Sequence, residues 1–110
     1  MKTPVHYQGA SKEGRKYLHA LLHKGPRSPA YDTDLFTAAE KHFPWLLRDA
    51  YLFNACKYLW RLGHKGDRNA DLNKATHYLE QWLGYYGIYC EHGQDVQQLA
   101  QSLKEEMSDE

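Results

Sequence analysis

"WLLRDAYLFNACKYLWRLGHKGDRNADLNKATHYLEQWL", residues 45–83, decides the fold. Its first part is apolar around most of a helical circumference, the mark of a helix surrounded by others. Gly63 stops that helix, "HKGDRN" makes a short connection, and Asp67 or Asn69 caps a second helix running into the region of Gly84 and Gly87. Two helices joined so briefly lie antiparallel. The spacing predicts a central helix over 45–62, with Pro44 at its first position. The fold class expected is all-α: a compact helical bundle built around a central antiparallel helical hairpin.

Outward from the hairpin, 110 residues make one domain with a single core, 1–110. Residues 1–10 read as an extended arm, because Pro4 and Gly9 interrupt any period. Ser11 is placed to cap a first helix over 11–24, and Asp32 or Thr33 a short helix through "LFTAAEKHF". "QDVQQLAQSLKEEM" carries Val96, Leu99 and Leu103 at helical spacing and ends in an acidic tail, 104–110, expected to fray. No stretch alternates as a strand would.

The 14 basic and 14 acidic residues cancel, so no global field draws the chain to extended nucleic acid or to an anionic membrane. The apolar run over 45–62 is broken by Arg48, Asp49, Asn54, Lys57 and Arg61 and is no membrane span. Cys56 and Cys90 have no CxxC spacing and follow no secretory signal, which predicts reduced thiols that fill the core of a soluble, cytoplasmic protein.

The polar residues of the central helix are ordered. At about 100° per residue, Asn54, Lys57 and Arg61 fall within an arc of roughly 60°, and Lys65 continues the line beyond the helix end. On the next helix Asp71, Lys74 and Tyr78 share one face. If these stripes meet, they form a small cleft that holds cations, a carboxylate, an amide and a phenol. Arginine's planar fork and lysine's point charge then suit a phosphorylated small molecule. The alternative is a solvated stripe in which Asp71 bridges to Lys57 or Lys74.

"VHYQG" with "FNACKYLWRLGHKGDRNADLNKATHYL" resembles a small phage and prophage domain family of formerly unknown function that often carries the label nucleotide kinase. By position the family pattern falls on His6, Tyr7, Glu13, Asn54, Lys57, Tyr58, Arg61, Lys65, Asp71, Leu72, Lys74, Ala75, Tyr78 and Leu79. The resemblance implies a nucleotide as ligand and phosphoryl transfer of the deoxynucleoside monophosphate kinase type, with a nucleoside triphosphate as donor, in an infected bacterial host. Asp71 and Glu13 would orient the acceptor; Asn54, Lys57, Arg61, Lys65, Lys74, Tyr78, His6 and Tyr7 would hold the substrate and its phosphates. The family tends to carry acidic residues where this chain has Lys16 and Ala70. That departure keeps a second function in view: a non-enzymatic phage inhibitor that blocks a host or defence protein. The late cluster Tyr85, Tyr86 and Tyr89 suits such a surface or a homo-oligomer contact.

Two near-motifs are set aside. "GASKEGRKY" spaces Gly9 and Gly14 like a phosphate loop, but Arg15 stands at the lysine position and no Ser or Thr follows Lys16. His19 and His23 have metal-ligand spacing on one helix but lack an evident third ligand, so no metal site is expected.

Overall fold

A computed structural model of the chain describes residues 9–22, 29–64, 66–87 and 93–107. Among these, the elements are α1 (Lys12–Leu22), a 3-10 turn (Pro29–Asp32), α2 (Leu35–His42), a second 3-10 turn (Pro44–Arg48), α3 (Ala50–Trp60), α4 (Arg68–Tyr86) and α5 (Gly93–Met107). The chain is all-α over the described residues. His6, Tyr7, His23, Lys65, Tyr89, Cys90 and residues 108–110 lie outside them.

The central helix is shorter than the apolar run suggests. Asp49 adopts an extended backbone, φ −117° and ψ 95°, and its side chain accepts from the Leu52 amide. A residue that caps a helix cannot also lie in its interior, so residues 44–48 wind separately as a 3-10 turn that Pro44 opens. The other Asp49 oxygen accepts from the Trp82 indole at 2.8 Å, and this bond ties the start of α3 to α4. The cap of α2 also differs from expectation. Asp34, rather than Asp32 or Thr33, accepts from the Thr37 amide and hydroxyl at 3.1 and 2.6 Å. Ser11 caps α1 as its sequence position predicts, accepting from the Gly14 amide at 2.9 Å. Asp67 caps α4 through the Asn69 amide.

α3 and α4 are antiparallel: Tyr51 stacks with Tyr85, Tyr58 with Tyr78, and Arg61 pairs with Asp71, so numbers fall on one helix as they rise on the other. The turn between them uses Gly63 at φ +83°, a left-handed conformation that any side chain would strain. Gly84 continues α4 rather than ending it; the helix runs to Tyr86. Leu52, Ala55, Cys56, Leu59 and Trp60 of α3 meet Leu72, Ala75, Leu79 and Trp82 of α4 in the core. α5 buries Val96, Leu99, Ala100 and Leu103 in the same cluster.

α1 crosses α3 at very close range. A Cβ at Gly14 would lie 1.8 Å from the Leu59 carbonyl oxygen, so only glycine lets the two backbones meet there. The Ser11 amide donates to the Trp60 carbonyl at 2.8 Å, which satisfies one orphan group at the end of α3. Arg15, in the place of a phosphate-loop lysine, donates to the carbonyls of Ala10 and Tyr31. The glycine spacing that suggested a phosphate loop therefore serves packing.

Residues 104–107, expected in a fraying tail, are helical. α5 extends through Met107, Lys104 pairs with Glu80, and Glu106 accepts from Arg68 at 2.6 Å.

Candidate functional site

The hairpin brings Lys57 and Arg61 of the first stripe together with Asp71, Lys74 and Tyr78 of the second. Their meeting point is Tyr58. Its ring lies nearly parallel to that of Tyr78, with centroids 6.1 Å apart and an interplanar angle of 9°. Around Tyr58 stand Lys57 Nζ at 4.9 Å from the centroid, Lys74 Nζ at 5.3 Å and Arg61 Cζ at 5.4 Å. A ring's negative face attracts each cation. Sharing one ring also keeps the cations within roughly the ~10 Å screening length of 0.1 M salt, so they repel one another.

Arg61 is the C-cap of α3, where a cation meets the negative end of the helix dipole. Its Nε lies 3.3 Å from Asp71 Oδ1, in an ion pair whose two sides differ sharply in exposure: 37% for the arginine side chain and 3% for the aspartate. The contact lacks hydrogen-bond alignment. Arg61 Nε and Asp71 Oδ2 are buried polar atoms without a hydrogen-bond partner among the described residues. Burial pushes the Asp71 carboxyl above its ordinary range, and the nearby charges of Arg61 and Lys74 only partly oppose that shift. Arg61 thus pairs with Asp71, where the solvated-stripe alternative has Lys57 or Lys74. Arg61 and Lys74 both act on Asp71, the Asp67 charge opposes them, and the Arg61 side chain keeps 37% of its surface in solvent.

Asn54 stands one turn before Lys57 and spends its amide on the Ala50 carbonyl of its own helix at 2.8 Å. Glu13 is engaged elsewhere: Arg68 Nε donates to its two oxygens at 3.0 and 2.9 Å. That hydrogen bonding holds the Glu13 carboxyl below its ordinary range. Arg68 also reaches Glu106, which makes a three-helix clamp of α1, α4 and α5 one turn before Asp71.

Beside the cluster a cavity of about 220 Å³ opens between α2 and α3, lined by Leu35, Phe36, Phe53, Lys57 and Arg61. The Phe36 and Phe53 rings are 5.0 Å apart and tilted by 49°. Sequence reasoning missed this apolar wall, because Phe36 reads as one more residue of a short amphipathic helix. It also passed over Tyr58 as a site residue, although an aromatic between Lys57 and Arg61 was the available signal.

Residues 30–80 match the model of a family described as a protein of unknown function, DUF3310. The matched stretch holds the cation cluster, Asp71 and the cavity wall; Glu13 lies outside it. That description names no activity. No curated protein and no solved structure matches the chain. No helix among the described residues is long and apolar enough to cross a membrane.

Proposed function

We propose that this chain is a nucleotide-binding protein of phage or prophage origin, with the Lys57–Arg61–Lys74 cluster as its phosphate site and nucleoside monophosphate kinase-like transfer as its chemistry. The observation that carries the reading is the gathering of three cations around the Tyr58 ring, of which Arg61 pairs with the buried Asp71. Such an arrangement repels itself when empty and is stabilised by a bound anion. Arginine offers a forked pair of donors and the lysines add charge, which together suit phosphate oxygens. In the transfer, a phosphate oxygen of the monophosphate attacks the γ-phosphorus of a nucleoside triphosphate and the bond to the β-γ bridging oxygen breaks, leaving two diphosphates. The cations stabilise charge on the transferring group, while Asp71, buried behind Arg61, holds the guanidinium in place. No side chain forms a covalent intermediate.

Calorimetric titration with mono- and triphosphates in the presence of Mg²⁺, followed by product analysis, tests this. Lys57→Ala and Lys74→Ala each remove one charge without uncovering Asp71. Each should weaken nucleotide binding about tenfold, the lower end of what a charge-assisted bond is worth. A parent protein that binds no nucleotide, or variants that bind as well as the parent, would sink the proposal.

A second reading rests on a separate surface. Tyr85 and Tyr86 are 65% and 52% exposed on the last turn of α4, and Tyr85 stacks on Tyr51. Exposed aromatics of this kind serve as anchors at protein interfaces, which suits an inhibitor of a host or defence protein. A tyrosine-to-alanine pair at 85 and 86 should leave nucleotide binding unchanged and weaken such a contact.

A further inference from the structure

We propose that the Leu35–Phe36–Phe53 cavity is the base slot of a bound nucleoside monophosphate, with Phe36 as the residue that clamps the base. The inference rests on the phosphate-site reading above and extends it to the part of the ligand that carries no charge. Two of the five residues lining the cavity, Lys57 and Arg61, belong to the cation cluster, so slot and phosphate site share a wall. The order along α3 is chemically graded. Phe53, Lys57 and Arg61 follow at intervals of four residues on one face, about 6 Å of rise apart, which runs from an apolar ring to an ammonium to a guanidinium. A nucleoside monophosphate has the same grading, from flat base through sugar to dianion.

Phe36 supplies the second argument. Its side chain is 52% exposed at the start of α2, yet its ring stands against Phe53 with the cavity beside it. Half of a phenylalanine in water is poor packing and a ready stacking surface. The volume sets the third. Drug-sized ligands occupy about 300–1,000 Å³, so 220 Å³ takes one ring system rather than a whole nucleotide. The sugar and phosphate then extend out along α3 toward Lys57 and Arg61. Tyr58 is not the base platform, because one face is stacked by Tyr78 and its surroundings are occupied by cations.

The test compares ligands with and without a base. The parent chain is titrated calorimetrically with a purine and a pyrimidine 2′-deoxynucleoside 5′-monophosphate and with 2-deoxyribose 5-phosphate, which keeps the sugar and phosphate alone. The parent should bind the nucleotides more tightly than the base-free compound. Phe36→Ala should weaken nucleotide binding about tenfold, the scale of one base–aromatic stack, and leave deoxyribose 5-phosphate unchanged. Phe36→Tyr should bind as the parent does. Because Phe36 is half-exposed, the alanine variant keeps its core, and an unchanged thermal midpoint verifies that. Phe53→Leu repeats the test from the other wall. If Phe36→Ala leaves nucleotide binding intact, or weakens both ligand classes equally, the base lies elsewhere and this inference is overturned while the phosphate site stands. If the parent binds base and base-free compounds alike, the cavity belongs to another occupant, such as an aromatic side chain of a protein partner, and the inference also fails. A parent that binds neither overturns the phosphate site, and the base slot with it.

Discussion

Gly14→Ala sets two known effects against each other, and the structure decides between them. In a helix interior alanine is better than glycine by about 1 kcal/mol. At this position, however, the new methyl would stand 1.8 Å from the Leu59 carbonyl oxygen and 2.8 Å from Ser11 Oγ. The first obstacle is backbone and cannot rotate away. Restoring ordinary contact requires α1 to move more than an ångström off α3. That movement stretches the 2.8 Å bond from the Ser11 amide to the Trp60 carbonyl, and a buried polar group left unpaired costs about 1–3 kcal/mol. Overpacking a tight contact adds about 1–3 kcal/mol more. Net of the propensity gain, the variant should lose about 1–5 kcal/mol. At roughly 4 °C per kcal/mol for a domain of this size, Tm should fall by about 4–20 °C. Thermal unfolding followed by circular dichroism reads this directly. A Tm equal to or above that of the parent would mean that the helices separate at no cost, and the close crossing would lose its structural meaning.

Two further outcomes concern the hairpin. Asp49→Ala removes the cap of α3 and the acceptor of the Trp82 indole together; about 2–4 kcal/mol should be lost, seen as a lower urea midpoint with an unchanged m value, and Asp49→Asn should recover part of it. The Asp71 carboxyl titrates above its ordinary 3.8 in the folded chain. Folded protein therefore binds more protons than unfolded between those two pKa values, stability falls as pH rises through that window, and the cost is fully present above it. Asp71→Asn should be the more stable protein at pH 7, since Arg61 keeps solvent at its open side, and the gain should shrink toward zero below pH 3.8. Chemical denaturation across pH checks this; a gain that does not vary with pH would refute it.

The hairpin was legible because its signals are local: apolar periodicity, a glycine stop, and carboxylates placed to cap. The break at Asp49 was not, since an aspartate inside an apolar run reads as an interruption of the face. Its second duty, holding Trp82, joins positions far apart in sequence. The stripe of Asn54, Lys57 and Arg61 was legible for the same local reason, and so was the face of Asp71, Lys74 and Tyr78. Which cation takes Asp71 was not legible, because three of them lie close enough by spacing and only the end of α3 brings Arg61 onto the carboxylate. Phe36 escaped notice because its contact with Phe53 depends on α2 docking beside α3, which no periodicity encodes.

The Arg68 clamp bears on what the recognisable segment can do alone. Glu13 comes from the first helix and Glu106 from the last, and both close on one arginine of the hairpin. The stretch that matches a family model runs from residue 30 to residue 80, so neither carboxylate of this buckle lies within it. The signature is therefore not an autonomous piece in space. A transplanted or trimmed hairpin would leave Arg68 without either mate and expose the apolar flank of α4 that α5 covers. A chimaera between relatives would have to carry the outer helices along with the segment that looks interchangeable.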